Sequence, residues 1–215
     1  MALDETLVKL RPGEVTLRFF HWLPGCAATY GYAQFYSEVR RALSAPFLEN
    51  ATRRPTGGGI VLHENDLTFS LIFQYPGRPM EIYQKLHGAI LRGLTCQGRT
   101  ARLSRQAPKE SYRPSLGNRA SACFQNPVEN DLLSENGQKI LGGALRRFGD
   151  TVLYQGSLQC PGARTSAQYK KAVIDGVRSF LAADLTPRGI APQVLQDARG
   201  LAQALYQTKE WKEKF

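Results

Sequence analysis

Residues 53–71 read RRPTGGGIVLHENDLTFSL, and this stretch decides how the rest of the chain is read. Two arginines lead through Pro55 and Thr56 into Gly57, Gly58 and Gly59, and an apolar run then closes at His63. Consecutive glycines cost roughly 0.5–1 kcal/mol each against alanine in regular structure, so a compensating purpose is expected. The stretch is no Walker A loop, since no Gly-Lys-Ser/Thr follows, and no GxGxxG dinucleotide fingerprint. It offers close backbone approach to a ligand, amide N–H groups, and positive charge from Arg53 and Arg54. Such a loop suits an anionic or carbonyl-bearing ligand. A tight turn between two elements is the plainer alternative.

Working outward, residues 59–63 and 67–73 predict a strand pair turning at Glu64, Asn65 and Asp66. Leu67, Phe69, Leu71 and Phe73 alternate along the second strand and give it one buried face. Upstream, the sequence predicts a short helix over 1–10 stopped by Pro12 and Gly13, a strand over 16–23 and a helix over 27–43. Downstream, residues 79–94 return to helical spacing with Pro79 in the first turn. Residues 113–119 read as a loop. Residues 138–147 and 151–160 flank Phe148, Gly149 and Asp150 as a hairpin, and 166–185 and 192–215 are helical. With hairpins mixed among helices and no repeat or linker, the fold class is α+β: a mixed, largely antiparallel sheet with flanking helices rather than a doubly wound fold.

Composition narrows the function classes. The chain opens on MALDETLVKL, without the apolar core of a signal peptide, and no apolar run approaches the ~18 residues of a membrane span. Cys26, Cys96, Cys123 and Cys160 form no CxxC pair and no zinc spacing, which predicts reduced thiols, a cytoplasmic protein and no metal site. His21, His63 and His87 are too scattered for metal ligation. The formal charge of +10 suggests nucleic acid or acidic proteins as partners. Part of the excess lies in residues 92–119, where seven basic residues (Arg92, Arg99, Arg102, Arg105, Lys109, Arg113, Arg119) face one acid, Glu110. That stretch reads either as a solvated loop or as a docking surface for an acidic macromolecule.

Cys123 follows a polar loop and precedes Pro127, and Lys139 comes sixteen residues later at the mouth of a predicted strand. A cation beside a cysteine favours the nucleophilic thiolate. The plainer readings are a small buried thiol and a solvated strand end. Ser157, in QGSLQ, does not sit in the GxSxG of a nucleophile elbow and reads as a strand residue.

Taken together, RRPTGGGIVLHENDLTFSL, then CFQNPVENDLLSENGQKILGGALRR, then LYQGSL resemble the biotin/lipoate protein ligase superfamily. Its lipoate–protein ligase A-like members and cysteine-dependent octanoyltransferases are the nearest in pattern. The likeness runs from MALDETL and RFFHWLPGCAATYGYAQ to the closing YQTKEW. It implies a single catalytic domain over residues 1–215 with the fold shared by biotin protein ligases.

The resemblance also implies a site. Arg54, Thr56, Gly57, Gly58, Gly59 and His63 would line the pocket for the acyl group and its activated carbonyl. Lys139 would contact the acyl carbonyl, Gly142, Gly143 and Ala144 would lie beside the acyl chain, and Gln155, Gly156 and Ser157 would face it. ACF followed by Pro127 looks like the transferase segment carrying the nucleophile, Cys123, and the accessory domain of the ligases is not expected here. The expected reaction is octanoyl (or lipoyl) transfer from acyl carrier protein to a lipoyl domain of a 2-oxoacid dehydrogenase E2 or of glycine cleavage H protein, without cofactor. The Asn130–Asp131 pair resembles that of the ligases and keeps open an ATP- and Mg-dependent lipoate–protein ligase; a non-catalytic acyl- or nucleic-acid-binding protein on this fold is the third reading, and transfer between two lipoyl domains is left open. A membrane partner is not implied, and nucleic acid is disfavoured.

Overall fold

The computed structural model describes residues 1–11, 13–23, 25–106 and 123–215. The loop expected over 113–119, together with Lys109, Glu110, Arg113 and Arg119 of the basic stretch, lies outside the described residues, whereas Arg92, Arg99, Arg102 and Arg105 are exposed.

Among the described residues the α+β expectation is met by two sheets. The larger has six strands, all antiparallel, in the order β1-β5-β9-β8-β7-β6. They are β1 (Thr16–Phe20), β5 (Leu67–Gln74), β6 (Ala101–Leu103), β7 (Leu132–Ser134), β8 (Lys139–Phe148) and β9 (Thr151–Leu158). The smaller has three strands, β2 (Ala27–Tyr30), β3 (Ala51–Arg53) and β4 (Val61–His63), ordered β3-β2-β4 with β2 and β3 parallel. Helix α1 (Ala2–Leu10) precedes β1, and α2 (Tyr36–Ala42) and α3 (Ala45–Glu49) link β2 to β3. Helices α4 (Pro79–Thr95) and α5 (Ala167–Leu181) follow β5 and β9; α6 (Pro192–Leu201), a π-helical turn (Ala202–Tyr206) and α7 (Lys209–Lys212) end the chain.

The alternation of Leu67, Phe69, Leu71 and Phe73 does what its period dictates: all four are buried in the main core with Ile82, Leu86 and Ile90 of α4 and Val173 and Val177 of α5. The opposite face of β5 is buried too, because α1 covers its Ile72 end with Leu7 and Val8. The predicted hairpin forms, with Phe148 paired to Thr151 and Gly149 turning at φ +59°.

Two expectations are corrected. Residues 27–30 are a strand, not the start of a helix. Ala27, Ala28, Thr29 and Tyr30 are buried and paired on both edges, so tertiary burial overrides the helix propensity of the alanine pair. Strands β4 and β5 do not pair: β4 joins the small sheet and β5 the large one. Residues 64–66 carry the chain between sheets, where the Asp66 carboxylate accepts hydrogen bonds from Thr68 Oγ1 at 2.8 Å and Ser157 Oγ at 2.6 Å. The gap between the two sheets is the space the site occupies.

Candidate active site

A cavity of about 40 Å³ lies on the face of the large sheet away from α4 and α5, with the small sheet across from it. Gly142, Ala144, Gln155, Ser157 and Thr68 supply its floor, and Thr29, Val61 and His63 its opposite wall. Phe20, Trp22, Cys123 and Phe124 close the sides.

Cys123 opens a one-turn 3₁₀ helix (Cys123–Gln125), and its amide donates to the Ile60 carbonyl at 2.8 Å. The residue after the glycine triplet therefore fixes the cysteine. Lys139 begins β8 and folds back over Gly142, where a Cβ would collide with the lysine Cε. Its ammonium lies 2.8 Å from Asp131 Oδ2 and 3.4 Å from both the sulfur and the carbonyl of Cys123. Burial disfavours the charge, but Cys123 and Asp131 outweigh it and hold the ammonium above the usual lysine range. Asp131 is itself fixed by the Val128 amide at 2.8 Å, so cysteine, lysine and carboxylate form one connected group.

The glycine loop is clamped from within. Arg54 donates to the carbonyls of Gly57 and Gly59, both at 2.9 Å, and to Thr29 Oγ1 at 2.7 Å. Gly58 sits at φ +90°, a conformation an L side chain rarely adopts. Arg53 turns the other way; it is fully buried and donates to the carbonyls of Tyr32, Gln34, Trp211 and Lys212. Only one of the two loop arginines therefore faces the cavity.

His63 carries a second network. Its Nδ1 donates to Asp66 Oδ2 at 2.8 Å, and its Nε2 accepts from Thr29 Oγ1 at 2.8 Å. Burial pulls the imidazole below the usual histidine range although Asp66 pulls the other way. Burial likewise opposes ionisation of Asp66, but His63 and its other hydrogen bonds keep the carboxyl below its ordinary value. His87 lies behind the sheet, donating from Nδ1 to the Asn130 carbonyl and accepting at Nε2 from Tyr154, both at 2.6 Å, and burial lowers its pKa as well.

Both imidazoles are thus neutral in the folded protein where the unfolded chain binds protons. Stability is therefore complete above the unfolded value, about pH 6.5, and is lost as the pH falls below it, by up to about 1.4 kcal/mol per pH unit for each histidine. Thermal melts should show a falling midpoint from pH 7 to pH 5; a flat profile would contradict neutral burial.

Of the residues expected at the site, Cys123, Arg54, Gly58 and His63 line the cavity, as do Gly142, Gly143, Ala144, Gln155, Gly156 and Ser157. Thr56, Gly57, Gly59 and Lys139 stand outside that lining. Thr56 acts through Gln155, donating to its Oε1 at 2.8 Å, and Lys139 through Cys123. A Cβ on Gly143 or on Gly156 would strike the buried Tyr154 ring, so these glycines let the core approach the sheet from behind. Among the participants that escaped the sequence reading are Asp66, Thr29, Thr68 and Trp22. Asp66 alone left a signal, three residues after His63 in a polar break.

Comparison with known proteins adds the family context. The profile of the lipoyl protein ligase A/B catalytic domain matches residues 1–180. Octanoyltransferase LipM of Kyrpidia tusciae is 35% identical over 168 residues, covering 74% of this chain and 60% of its own length. Octanoyltransferase LipM of Halalkalibacterium halodurans is 25% identical over 256 residues, covering 98% and 92%. A solved structure from a study of a bi-partite lipoate protein ligase and its E2 lipoyl domain from Thermoplasma acidophilum superposes with a TM-score of 0.73 at 19% identity, over 99% of this chain and 89% of that one, and shares the fold.

Proposed function

The chain belongs to the lipoyl protein ligase A/B catalytic domain family, and from that premise we propose that it transfers an octanoyl or lipoyl group to a lipoyl domain through a thioester on Cys123. One observation carries this reading: a cysteine opens onto a largely apolar cavity with a buried ammonium 3.4 Å from its sulfur. The donor is acyl carrier protein and the acceptor is the lysine of a lipoyl domain, in an E2 subunit or in glycine cleavage H protein, in the cytoplasm.

In the first step the Cys123 sulfur attacks the thioester carbon of the donor. The new Sγ–C bond forms as the carrier's C–S bond breaks, and the carrier thiol departs with the proton. Lys139 stabilises the charge that builds on the sulfur as its proton passes to the carrier thiol and faces the developing oxyanion, with amides of the glycine loop assisting. In the second step the neutral ε-amine of the acceptor attacks the acyl carbon. The C–N bond forms, the C–Sγ bond breaks, and the amine proton ends on the Cys123 thiol. Asp131 keeps the ammonium in place through both steps.

An ATP-dependent ligase is the second reading that the fold permits. The residues it would use for a nucleotide are engaged elsewhere. Asp131 holds Lys139, while Asn130 gives its carbonyl to His87 and its side-chain amide to Met80 Sδ at 3.0 Å. These contacts favour the transferase.

The test is the intact mass of the protein after incubation with octanoyl-acyl carrier protein and no ATP. One octanoyl group, removable by hydroxylamine, is expected. No adduct, with ATP-dependent attachment of free lipoate to a lipoyl domain, would make the protein a ligase.

A further inference from the structure

Behind the cavity floor, on the side of the large sheet that α4 covers, a histidine is bonded to the segment that carries Asp131. His87 is fully buried and does not line the cavity. Its ring meets that of Tyr83, one helical turn earlier in α4, edge-on with centroids 5.7 Å apart. The two ring nitrogens have unequal partners. The Asn130 carbonyl, 2.6 Å from Nδ1, can only accept. Nδ1 therefore carries the proton, and Nε2 accepts from the Tyr154 hydroxyl at 2.6 Å. Gly143 leaves room for that hydroxyl, which a Cβ there would overlap.

The bonded carbonyl belongs to a turn held in an unusual shape. Asn130 stands at φ +69°, a left-handed conformation that a non-glycine residue keeps only when its surroundings impose it. Its backbone amide donates to the Ser104 carbonyl at 2.9 Å and its side chain to Met80 Sδ at 3.0 Å. The Asn130 carbonyl and the Asp131 N–H are opposite edges of one planar peptide unit. His87 holds the oxygen edge, and the Val128 carbonyl accepts from the nitrogen edge at 3.1 Å. With that plane fixed, so is the point from which the Asp131 side chain starts. Asp131 Oδ2 holds the Lys139 ammonium at 2.8 Å, and the ammonium stands 3.4 Å from the Cys123 sulfur. An unbroken line of contacts thus runs from α4, behind the sheet, to the sulfur in front of it.

We propose that His87 is a positioning residue of the acyl transfer: its Nδ1–H holds the Asn130 carbonyl and so sets the Asp131 carboxylate where it keeps Lys139 against Cys123. The proposal rests on the acyl-transfer reading of Cys123. It is distinguishable from simple packing. A ring that only filled space among Leu86, Ile90 and Tyr154 would be replaced better by an apolar residue than by a polar one. A ring that holds a carbonyl needs its donor. Leucine supplies apolar bulk and no donor. Asparagine is smaller, but its amide nitrogen is bonded to Cγ as Nδ1 is, and it can give Asn130 the same bond. The two substitutions therefore rank in opposite order on the two accounts.

The experiment compares His87→Leu and His87→Asn with the wild type in melting temperature and in two rates. One is Cys123 acylation by octanoyl-acyl carrier protein, read by intact mass. The other is Cys123 alkylation by iodoacetamide, located by peptide mass, which needs no acyl donor and reads the cysteine–lysine contact directly. Exposed Cys96 should alkylate alike in all three proteins. His87→Asn should keep both rates close to wild type. His87→Leu should acylate roughly 10–10²-fold more slowly, as expected for a displaced catalytic group, and alkylate more slowly in parallel, while melting no lower than the asparagine variant. A leucine variant as fast as the asparagine variant in both rates would overturn the positioning role alone. A wild type that forms no acyl adduct would overturn the transfer reading, and this role with it. Should the leucine variant not fold, NMR of the wild type with nitrogen-15 histidine decides: the His87 resonance, identified by its loss in His87→Asn, should show Nδ1 protonated and should shift when Cys123 is acylated. A His87 signal indifferent to acylation would overturn the role.

Discussion

Cys123→Ala should take up no acyl group from octanoyl-acyl carrier protein and pass none to a lipoyl domain, while its melting temperature should stay close to that of the wild type. The reasoning separates chemistry from packing. The thiol is a small buried group whose amide, not its sulfur, anchors the turn through the Ile60 carbonyl. Alanine keeps the amide and loses one sulfur atom at the edge of a cavity, so the fold loses little. The reaction loses its nucleophile, a change expected to cost roughly 10⁴-fold or more in rate. Lys139→Met should fall less, by roughly 10²–10³, the usual range for losing one group that stabilises the oxyanion. It also strands the Asp131 carboxylate, which has 5% side-chain exposure, so Asp131→Asn belongs in the same series to separate rate from stability. Mass-spectrometric assay of a lipoyl domain acceptor reads all three. A Cys123→Ala protein retaining more than about a tenth of wild-type transfer would remove the covalent mechanism. A ligase would show the reverse pattern, with Lys139 essential and Cys123 dispensable.

Gly31→Ala should be the most damaging single methyl group in the site. Gly31 follows β2 and faces the glycine loop so closely that an added Cβ would overlap the Gly58 carbonyl oxygen and come within 2.8 Å of the Gly57 carbonyl carbon. Neither can yield cheaply. Arg54 holds the carbonyls on both sides, and Gly58 is already at φ +90°. Overpacking against fixed backbone costs roughly 1–3 kcal/mol. A loop displaced by about 1 Å can cost roughly 10²-fold in rate. Gly57→Ala gives the contrast within the same triplet. A Cβ there meets nothing within 4 Å, so its stability should stay within about 0.5 kcal/mol of wild type. Thermal melting and the acylation rate of the two variants test the pair. If Gly31→Ala melts with the wild type and acylates at the same rate, the close approach is not what positions the loop.

The family, the strand alternation of residues 67–73, the hairpin at Gly149 and the long helices could be read from the sequence because each depends on local period or a local motif. What escaped depends on partners far along the chain. Residues 27–30 form a strand only because β3 and β4 flank them. The break at 64–66 resembles a hairpin turn, yet Ser157, ninety-one residues away, binds its Asp66 and directs the chain into the other sheet. Gly31 and Trp22 carry no local mark of their roles, since one is set by a facing loop and the other by a wall of the cavity. Arg53 and Arg54 are alike as letters, and only their hydrogen bonds tell them apart.

The burial of Arg53 also bears on the timing of assembly. Its guanidinium closes contacts 158 and 159 residues away in sequence, to the carbonyls of Trp211 and Lys212, and the Trp211 indole returns a bond to the Arg53 carbonyl at 3.1 Å. Contacts so distant along the chain form late, because their loop-closure entropy must be met before they stabilise anything. The residue before Arg54 is therefore held by the nearer carbonyls of Tyr32 and Gln34, and by its strand pairing, until residues 211 and 212 have been synthesised and have docked. During translation the sheets can pair while this corner is still loose. A ribosome-bound chain would thus hold the scaffold of the proposed site before residues 211 and 212 fasten its arginine corner.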